Sequence, residues 1–558
     1  MTVTDIRTHS DWGGRLVSYP EDRAAAYRAS GVWSADSTGR RFHEVALRHP
    51  DRPALISAEG SLTYAELDRR TDAIAAGLIR LGFSRLEPVL FQLTNRQETV
   101  LAWYGCVKAG LIPIATLAAH RMHEIRHVSA AVGAVAHIVE AGMSFDLVSF
   151  AEEHADGSDT VRSIITVGSP DGDLRLEDIG RGMSATAARA AVEAVDAETD
   201  PQDVVAFQLS GGTTGAPKVI PRIHAEYWNN ALFYARRLGW TADSKVAHLI
   251  PIVHNAGIAC GLHASHSVGA ALVLATADVD SAFDLVERSG ATDVLIGHGH
   301  YQAVLSSRFD RIRGQLQRVI LSGAKVSADL MDRVDDDEGH WAGQLFGMSE
   351  GLLTVTPRSA PREARIRTVG TPVSTEDEVR ILEPGSETEV DDGRVGELCC
   401  RGPYTIAGYF AAPEHNRIAF TSDGFYRTGD LASISIVDGE RYISIEGRIK
   451  DLINRGGEKI NAEEVEVLLL EHPGVENAAV VAMPDPRLGE RTCAYLVAAA
   501  EPLTMNDIQA HLTALGVAKF KWPERLEWVE ALPRTNVNKI DKKHLRTDIA
   551  TKLQESPS

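Results

Sequence analysis

Apolar positions along this chain recur in two spacings. Between Leu62 and Gly82, Leu67, Ile74, Leu78 and Leu81 share one face at the period of an amphipathic helix. Thr63 and Glu66 have capping-box spacing, and Gly82 stands where a glycine stop belongs, so a helix is predicted over Leu62 to Gly82. The mostly apolar run Glu87 to Leu93 then reads as a strand, Glu98 to Lys108 as a helix, and Leu111 to Ile114 as a second strand. Alternation of this kind predicts an α/β fold class with much parallel sheet. A second run of the same type begins near Val204 and continues past Leu321.

Between the two runs, Glu152 to Asp203 is polar and alanine-rich and is expected to form surface elements and connectors between two lobes. Short β-like runs from Val379 to Phe410, separated by Asp391-Asp392-Gly393 and Arg401-Gly402-Pro403, predict a small β subdomain. After Arg448 the pattern changes. A helix is predicted over Ala462 to Glu471, strands over Ala478 to Ala482 and Cys493 to Ala498, and a helix over Met505 to Leu515. The expected architecture is a large N-terminal domain of two α/β lobes plus the β subdomain, followed by a small α+β domain. The boundary is placed between residues 1–449 and 450–558.

Length and charge narrow the classes. At 558 residues the chain is too long for one compact domain, and 44% apolar with 24% charged residues is ordinary for a globular protein. A formal charge of −20 argues against general binding to nucleic acid or to an anionic membrane, while leaving room for a locally basic nucleotide site. The five cysteines, Cys106, Cys260, Cys399, Cys400 and Cys493, form no C-x-x-C pair, so reduced thiols in a cytoplasmic protein are expected rather than a zinc site or disulfides. No signal peptide or membrane span is read.

The strongest local signal is Leu209-Ser-Gly-Gly-Thr-Thr-Gly-Ala-Pro-Lys218. Gly211, Gly212 and Gly215 let backbone approach an anion closely, Ser210, Thr213 and Thr214 add hydroxyl donors, and Lys218 adds a positive charge. It lacks the Gly-Lys-Ser/Thr ending of a Walker A loop. A flexible Gly/Thr hairpin loop would have the same composition. Four further segments follow in order: Phe346-Gly-Met-Ser-Glu-Gly351, Tyr426-Arg-Thr-Gly-Asp-Leu431, Gly447 to Ile460, and Pro533-Arg-Thr-Asn-Val-Asn-Lys539.

With these five segments the chain resembles the adenylate-forming superfamily of acyl-CoA synthetases, peptide-synthetase adenylation domains and luciferase, from about Phe42 to Leu545. Within it, Tyr19 to Arg28 and the pair His254-Asn255 are most similar to stand-alone aryl-acid ligases of siderophore pathways, which activate salicylate or 2,3-dihydroxybenzoate. The resemblance implies a carboxylic acid joined to AMP and then passed to a thiol. It assigns Ser210 to Lys218 to the β- and γ-phosphates of ATP. Glu350 falls to Mg²⁺, Ser349 and its neighbours Phe346, Gly347 and Met348 to the nucleotide, and Gly323-Ala324-Lys325 to a ledge beside adenine. Asp430 takes the ribose hydroxyls, with Arg448 beside it.

The same resemblance makes Lys539 the adenylation catalyst, a cation placed between two anions that must meet. Lys542, Lys543 and Arg546 read as a solvated basic face. Lys450 is implied as a hinge about which the small domain turns, withdrawing Lys539 and presenting the Gly456-Gly457-Glu458 face for thioester formation; a plain surface lysine is the other reading.

The acyl pocket is expected from His254, Asn255, Ala256, Cys260, Gly323 and Leu353. By resemblance Asn255 would hydrogen-bond an ortho-hydroxyl and His254 would stand at the entrance. Dihydroxybenzoate ligases read His-Asn-Tyr here with a serine four positions past the Tyr, where this chain has Ala256 and Cys260. Loss of that serine disfavours a 3-hydroxyl, and loss of a phenol ring leaves space that costs stability if empty. The expected substrate is therefore an ortho-hydroxy aryl acid bulkier than salicylate, such as a hydroxynaphthoate or alkylsalicylate. Coenzyme A is the expected acceptor. The alternative is a salicylate- or 2,3-dihydroxybenzoate-AMP ligase that loads the phosphopantetheine of an external carrier protein. A regulator that has lost catalysis is disfavoured, because Glu350, Asp430, Arg448 and Lys539 are all present.

Overall fold

The computed structural model describes residues 12–169, 174–210, 217–323, 326–336, 339–455, 458–535 and 539–555. The chain divides into two compact units. The first runs to Glu378 and takes in Cys400–Tyr426; the second is built from Val379–Cys399 and from Arg427 onward. A hinge at Lys450 concerns motion, which compactness does not measure.

In the first unit two sheets carry the α/β pattern. One has the order Ser163–Val167, Ala136–Glu140, Pro88–Gln92, Ile112–Ile114, Val204–Leu209, Val219–Ile223, parallel except for the last pair. The other runs from the edge pair Thr371–Pro372 and Leu353–Val355 through Trp341–Gly347, Arg318–Ser322, Asp293–Gly297, Lys245–His248, Ala271–Leu274 and Pro53–Ser57 to Gly60–Thr63. Strands such as Pro88–Gln92 and Asp293–Gly297 are buried at every position, which is why they read as continuous apolar runs: helices cover both faces.

The predicted helix is Tyr64–Arg80, with Thr63 accepting from the Glu66 N–H and the Glu66 carboxylate accepting in return. Leu81 departs from expectation: it caps the helix and is half exposed, so the core face ends at Leu78. The expectation for Glu152 to Asp203 is also corrected. Ser163–Val167 is an edge strand of the first sheet, and Ala185–Glu198 is a helix packed on Tyr64–Arg80. Within that stretch Gly180 packs directly on the Tyr64–Arg80 helix. A Cβ on Gly77 would lie 2.4 Å from the Gly180 nitrogen.

The β subdomain is larger than the predicted span. Strands Glu378–Leu382 and Gly396–Arg401 join the long hairpin Tyr426–Val437 and Glu440–Arg448 in a four-stranded sheet. Asp438 and Gly439, both at positive φ, make its tight turn. Beyond it, a five-stranded sheet (Leu452–Arg455, Glu458–Asn461, Gly489–Ala498, Val475–Asp485, Arg525–Trp528) packs with helices Ala462–Leu470 and Met505–Ala514 around Ile453, Val465, Leu469, Val480, Leu496 and Leu512.

Candidate active site

In the first unit the segments after Leu209, Ser322 and Gly347 leave the carboxyl ends of strands with parallel neighbours, where ligands gather in sheets of this kind. Register brings two of them together. Ser322 pairs with Leu345 on adjacent parallel strands, so Gly323, at φ +99°, emerges beside Phe346. Strand Lys245–His248 lies next in the sheet but one and releases the segment that reaches His254 and Asn255.

Phe346 to Gly351 is the tight connection between antiparallel strands Trp341–Gly347 and Leu353–Val355, with Gly347 opposite the buried Leu353. The Met348 carbonyl accepts from the Gly351 N–H at 3.1 Å, and Met348 N–H donates to Leu352 at 3.2 Å. Gly351 has φ +128°, and a Cβ there would fall 1.5 Å from the Tyr404 carbonyl oxygen. Only glycine fits. This turn delivers the buried Glu350, whose Oε1 accepts from the Tyr409 hydroxyl at 2.6 Å; Tyr409 and Tyr426 hydroxyls are 2.8 Å apart. Burial and the Glu350 charge raise the Tyr409 pKa, so that phenol stays a neutral donor. Lys218 Nζ lies 5.5 Å from the Tyr409 ring centre, and Ser210 and Lys218 close the mouth of their loop by two 3.0 Å hydrogen bonds. Gly211, Gly212, Thr213, Thr214 and Gly215 lie outside the described residues, as do Ala324, Lys325 and Gly457.

Asn255 is buried and Ala256 opens a π-helical stretch, Ala256–His263, that contains the buried Cys260. Burial pushes the Cys260 thiol up to about 12, so it is a neutral wall group. His254 is exposed, its Nδ1 accepting from the Ala256 N–H at 3.3 Å. The Asn255 amide is held on three sides. Its Oδ1 accepts from the Tyr227 hydroxyl at 2.9 Å and faces Arg222 Nη1 at 3.5 Å, and its Nδ2 donates to the Met348 carbonyl at 3.3 Å.

Arg222 itself is fully buried in a fork-on-fork pair with Glu226 (2.7 and 2.5 Å) and donates to the Ser349 carbonyl at 3.0 Å. Burial opposes that charge, but Glu226 outweighs it and raises the Arg222 pKa, keeping the guanidinium cationic. Sequence reading missed Arg222, Glu226, Tyr227 and Tyr409. A charged residue inside the apolar strand Val219–Ile223, with a carboxylate four positions on, was the available signal for the first two. Nothing local marks Tyr409. Asn95 was missed as well; it ties the loop down by donating to the Ile250 and Ala275 carbonyls and accepting from Ile252 N–H.

In the second unit Asp430 and Arg448 face each other across the hairpin, bonded at 2.9 Å between Nε and Oδ1. Asp430 is buried and its N–H donates to the Thr428 hydroxyl at 3.0 Å. Lys539 belongs to this cluster. Its pKa is lowered by loss of water around the charge and by the Arg448 and Lys450 charges, while Asp430 pulls the other way. The Lys450 pKa is lowered too, by loss of water and by Arg448, against Asp451. Lys450 lies in the single helical turn Ile449–Asp451 after strand Glu440–Arg448, and Arg546 bonds its neighbour Asp451 at 3.0 Å.

Lys218 and the buried Glu350 lie in one unit, and Asp430, Arg448 and Lys539 in the other. The family model for AMP-binding enzymes matches residues 42–410, and that for their C-terminal domain matches residues 464–539. The chain belongs to the AMP-binding enzyme family. It is an AMP-forming acid–thiol ligase of the adenylate-forming superfamily. The ligase is 37% identical over 543 residues to the 2,3-dihydroxybenzoate-AMP ligase of Bacillus subtilis, covering 96% of this chain and 98% of that one. It is 37% identical over 542 residues to the salicyl-AMP ligase / salicyl-S-ArCP synthetase of Mycobacterium tuberculosis, covering 95% and 94%. Among solved structures it resembles apo MbtA of Mycobacterium smegmatis, with a TM-score of 0.71 and 35% identity over 97% of this chain and 100% of that chain. No helix among the described residues is long and apolar enough to cross a membrane.

Proposed function

We propose that the ligase activates an ortho-hydroxy aromatic carboxylic acid of the salicylate class as its acyl-AMP and passes the acyl group to the phosphopantetheine thiol of an external carrier protein. The observation that carries this is Asn255: a buried amide, oriented by Arg222, Tyr227 and the Met348 carbonyl, in the segment that also holds Ala256 and Cys260. A buried amide so constrained has hydrogen-bonding capacity to offer a polar ring substituent. Relatives named for salicylate and 2,3-dihydroxybenzoate, one of them for an S-ArCP product, support both acid class and acceptor. Coenzyme A as acceptor, and an acid bulkier than salicylate in the space left by Ala256, are the second reading; the missing phenol ring is what favours the bulk.

In this reading the cationic Lys539 offsets repulsion between the acid's carboxylate and the α-phosphate, while Asp430 with Arg448 orients the ribose. Ser210 to Lys218 hold the outer phosphates, Gly323 to Lys325 flank adenine, and Phe346 to Ser349 line the nucleotide. His254 stands at the pocket entrance, and Cys260 and Leu353 form its wall. Glu350, a buried carboxylate with hard oxygen donors, would hold a Mg²⁺, which would supply positive charge against the phosphates. Rotation about Lys450 then exchanges Lys539 for the Gly457 face before the thiol attacks.

Pyrophosphate exchange with salicylate, 2,3-dihydroxybenzoate, 1-hydroxy-2-naphthoate and benzoate tests the acid. Exchange with salicylate at least tenfold above benzoate is expected, and exchange independent of the ortho-hydroxyl overturns the reading. Mass spectrometry of a holo aryl carrier protein and of coenzyme A, each incubated with ligase, acid and ATP, separates the acceptors. Carrier loading is the expected result.

A further inference from the structure

The hydrogen bonds around Asn255 have a direction. Arg222 can only donate and the Met348 carbonyl can only accept, so the amide atom facing Arg222 Nη1 at 3.5 Å is oxygen and the one facing Met348 at 3.3 Å is nitrogen. The Tyr227 hydroxyl, 2.9 Å from that oxygen, must then be its donor. A hydroxyl has one hydrogen, and with it committed to Asn255 the Tyr227 oxygen accepts from behind: Gln208 Nε2 lies 3.0 Å away. Gln208, Tyr227, Arg222 and Asn255 are all buried. Burial, ahead of the opposing pull of Arg222, raises the Tyr227 pKa, so the phenol keeps its proton.

We infer that Gln208 and Tyr227 form a one-way relay that makes Asn255 present an N–H to the acid, and that Tyr227 is a specificity-determining positioning residue. Asn255 Nδ2 has two hydrogens, and Met348 takes one. The other is available to an ortho substituent that accepts a hydrogen bond, which a hydroxyl or phenolate oxygen does well. An ortho-amino group, whose lone pair is delocalised into the ring and whose hydrogens are donors, meets an N–H with another N–H. The inference rests on the proposed salicylate-class reading and sharpens it: the ligase accepts ortho-oxygen acids and refuses both anthranilate and benzoate. Discrimination by a missing or mismatched partner is large when it leaves a buried polar group unpaired. Without the Tyr227 hydroxyl the amide loses its nearest orienting partner and turns more freely, so the preference narrows.

The test is the ratio of kcat/KM in pyrophosphate exchange for salicylate against benzoate and against anthranilate, in the wild-type ligase and in Tyr227→Phe. Binding ratios for the corresponding acyl-sulfamoyl adenosines, by calorimetry, serve as a readout independent of turnover. In Tyr227→Phe the salicylate value is expected to fall at least about tenfold more than the other two, so both ratios shrink. A general packing defect would lower all three together and leave the ratios in place; that result overturns the inference. Should Tyr227→Phe not fold, Gln208→Met, which frees the Tyr227 hydroxyl to rotate, is expected to shrink the ratios about threefold, and unchanged ratios there overturn it equally. A wild-type ligase indifferent to the ortho substituent defeats the functional reading and the relay together. A wild-type preference that survives in the variants defeats the relay alone.

Discussion

At Lys539 two electrostatic demands oppose each other. In the proposed reaction the ammonium must be charged to draw a carboxylate onto a phosphate, yet loss of water and the neighbouring Arg448 and Lys450 lower its pKa, with Asp430 restoring part of it. Lys539→Ala is expected to slow acyl-adenylate formation by about 10²–10³-fold, measured by pyrophosphate exchange, the scale of one electrostatic contact in a transition state. Thioester formation from supplied acyl-adenylate should fall much less, because in the proposed scheme that step does not use Lys539. The sign of the pH effect follows from the lowered pKa: the cation is present at low pH and is lost below the ordinary lysine value of 10.5 as pH rises. The basic limb of the exchange profile should therefore lie below 10.5, and Lys539→Arg should move it upward, since a guanidinium keeps its proton. Lys539 was legible in sequence through Pro-Arg-Thr-Asn-Val-Asn before it. Its charged neighbours were not, because Asp430 and Arg448 come from a distant hairpin.

Among the elements, the turn from Phe346 to Gly351 ties backbone stability to the placement of Glu350. Its glycine sits at φ +128° with the Tyr404 carbonyl where a Cβ would go, and the Ile406 N–H donates to the Glu350 carbonyl at 2.9 Å. Gly351→Ala therefore adds both backbone strain and a clash with main chain. Urea unfolding should show a loss of at least about 3 kcal/mol, or no soluble protein, since neither cause can be relieved by a side-chain shift. Regular helices were readable from period and caps, as at Thr63 and Glu66. The π-helical stretch Ala256–His263 was not. It depends on Gly257 lying against Ile252, where a Cβ would come within 2.2 Å of the carbonyl oxygen, a contact that the residue pattern does not encode.

Over the whole molecule, buried imidazoles set an acid limit. His224, His248 and His263 have pKa values lowered to about 3, and His266 to about 4, each first by burial. Their partners require neutral rings: His224 Nδ1 accepts from the Thr38 N–H at 3.1 Å and His263 Nε2 from the Trp103 indole at 3.3 Å. His266 Nδ1 accepts a hydrogen bond from the Tyr104 hydroxyl and its Nε2–H donates to the Ala54 carbonyl, both at 2.9 Å. A histidine lowered in the folded state contributes stability that is complete above its unfolded pKa near 6.5. That contribution drains away as pH falls towards the folded value, at up to about 1.4 kcal/mol per pH unit and ring. The melting temperature should drop by about 5–10 °C between pH 7.5 and 5.5, read by calorimetry. Replacing His224 by Gln, which can still accept from Thr38, should lessen the slope. An unchanged slope would exclude His224 from the acid transition.

Sequence alone determined the α/β alternation, the main helices and the ordered series of motifs. Each of these depends on local periodicity, capping or short-range spacing, which a chain carries before it folds. Tertiary structure decided the packing of Arg222 and Tyr227 around Asn255, the Tyr409 hydroxyl on Glu350, and the Arg222 bond to the Ser349 carbonyl. Those contacts join residues tens to more than a hundred positions apart. They arise from sheet register and loop closure, and from the rule that a buried polar group must find a partner wherever the fold has placed one.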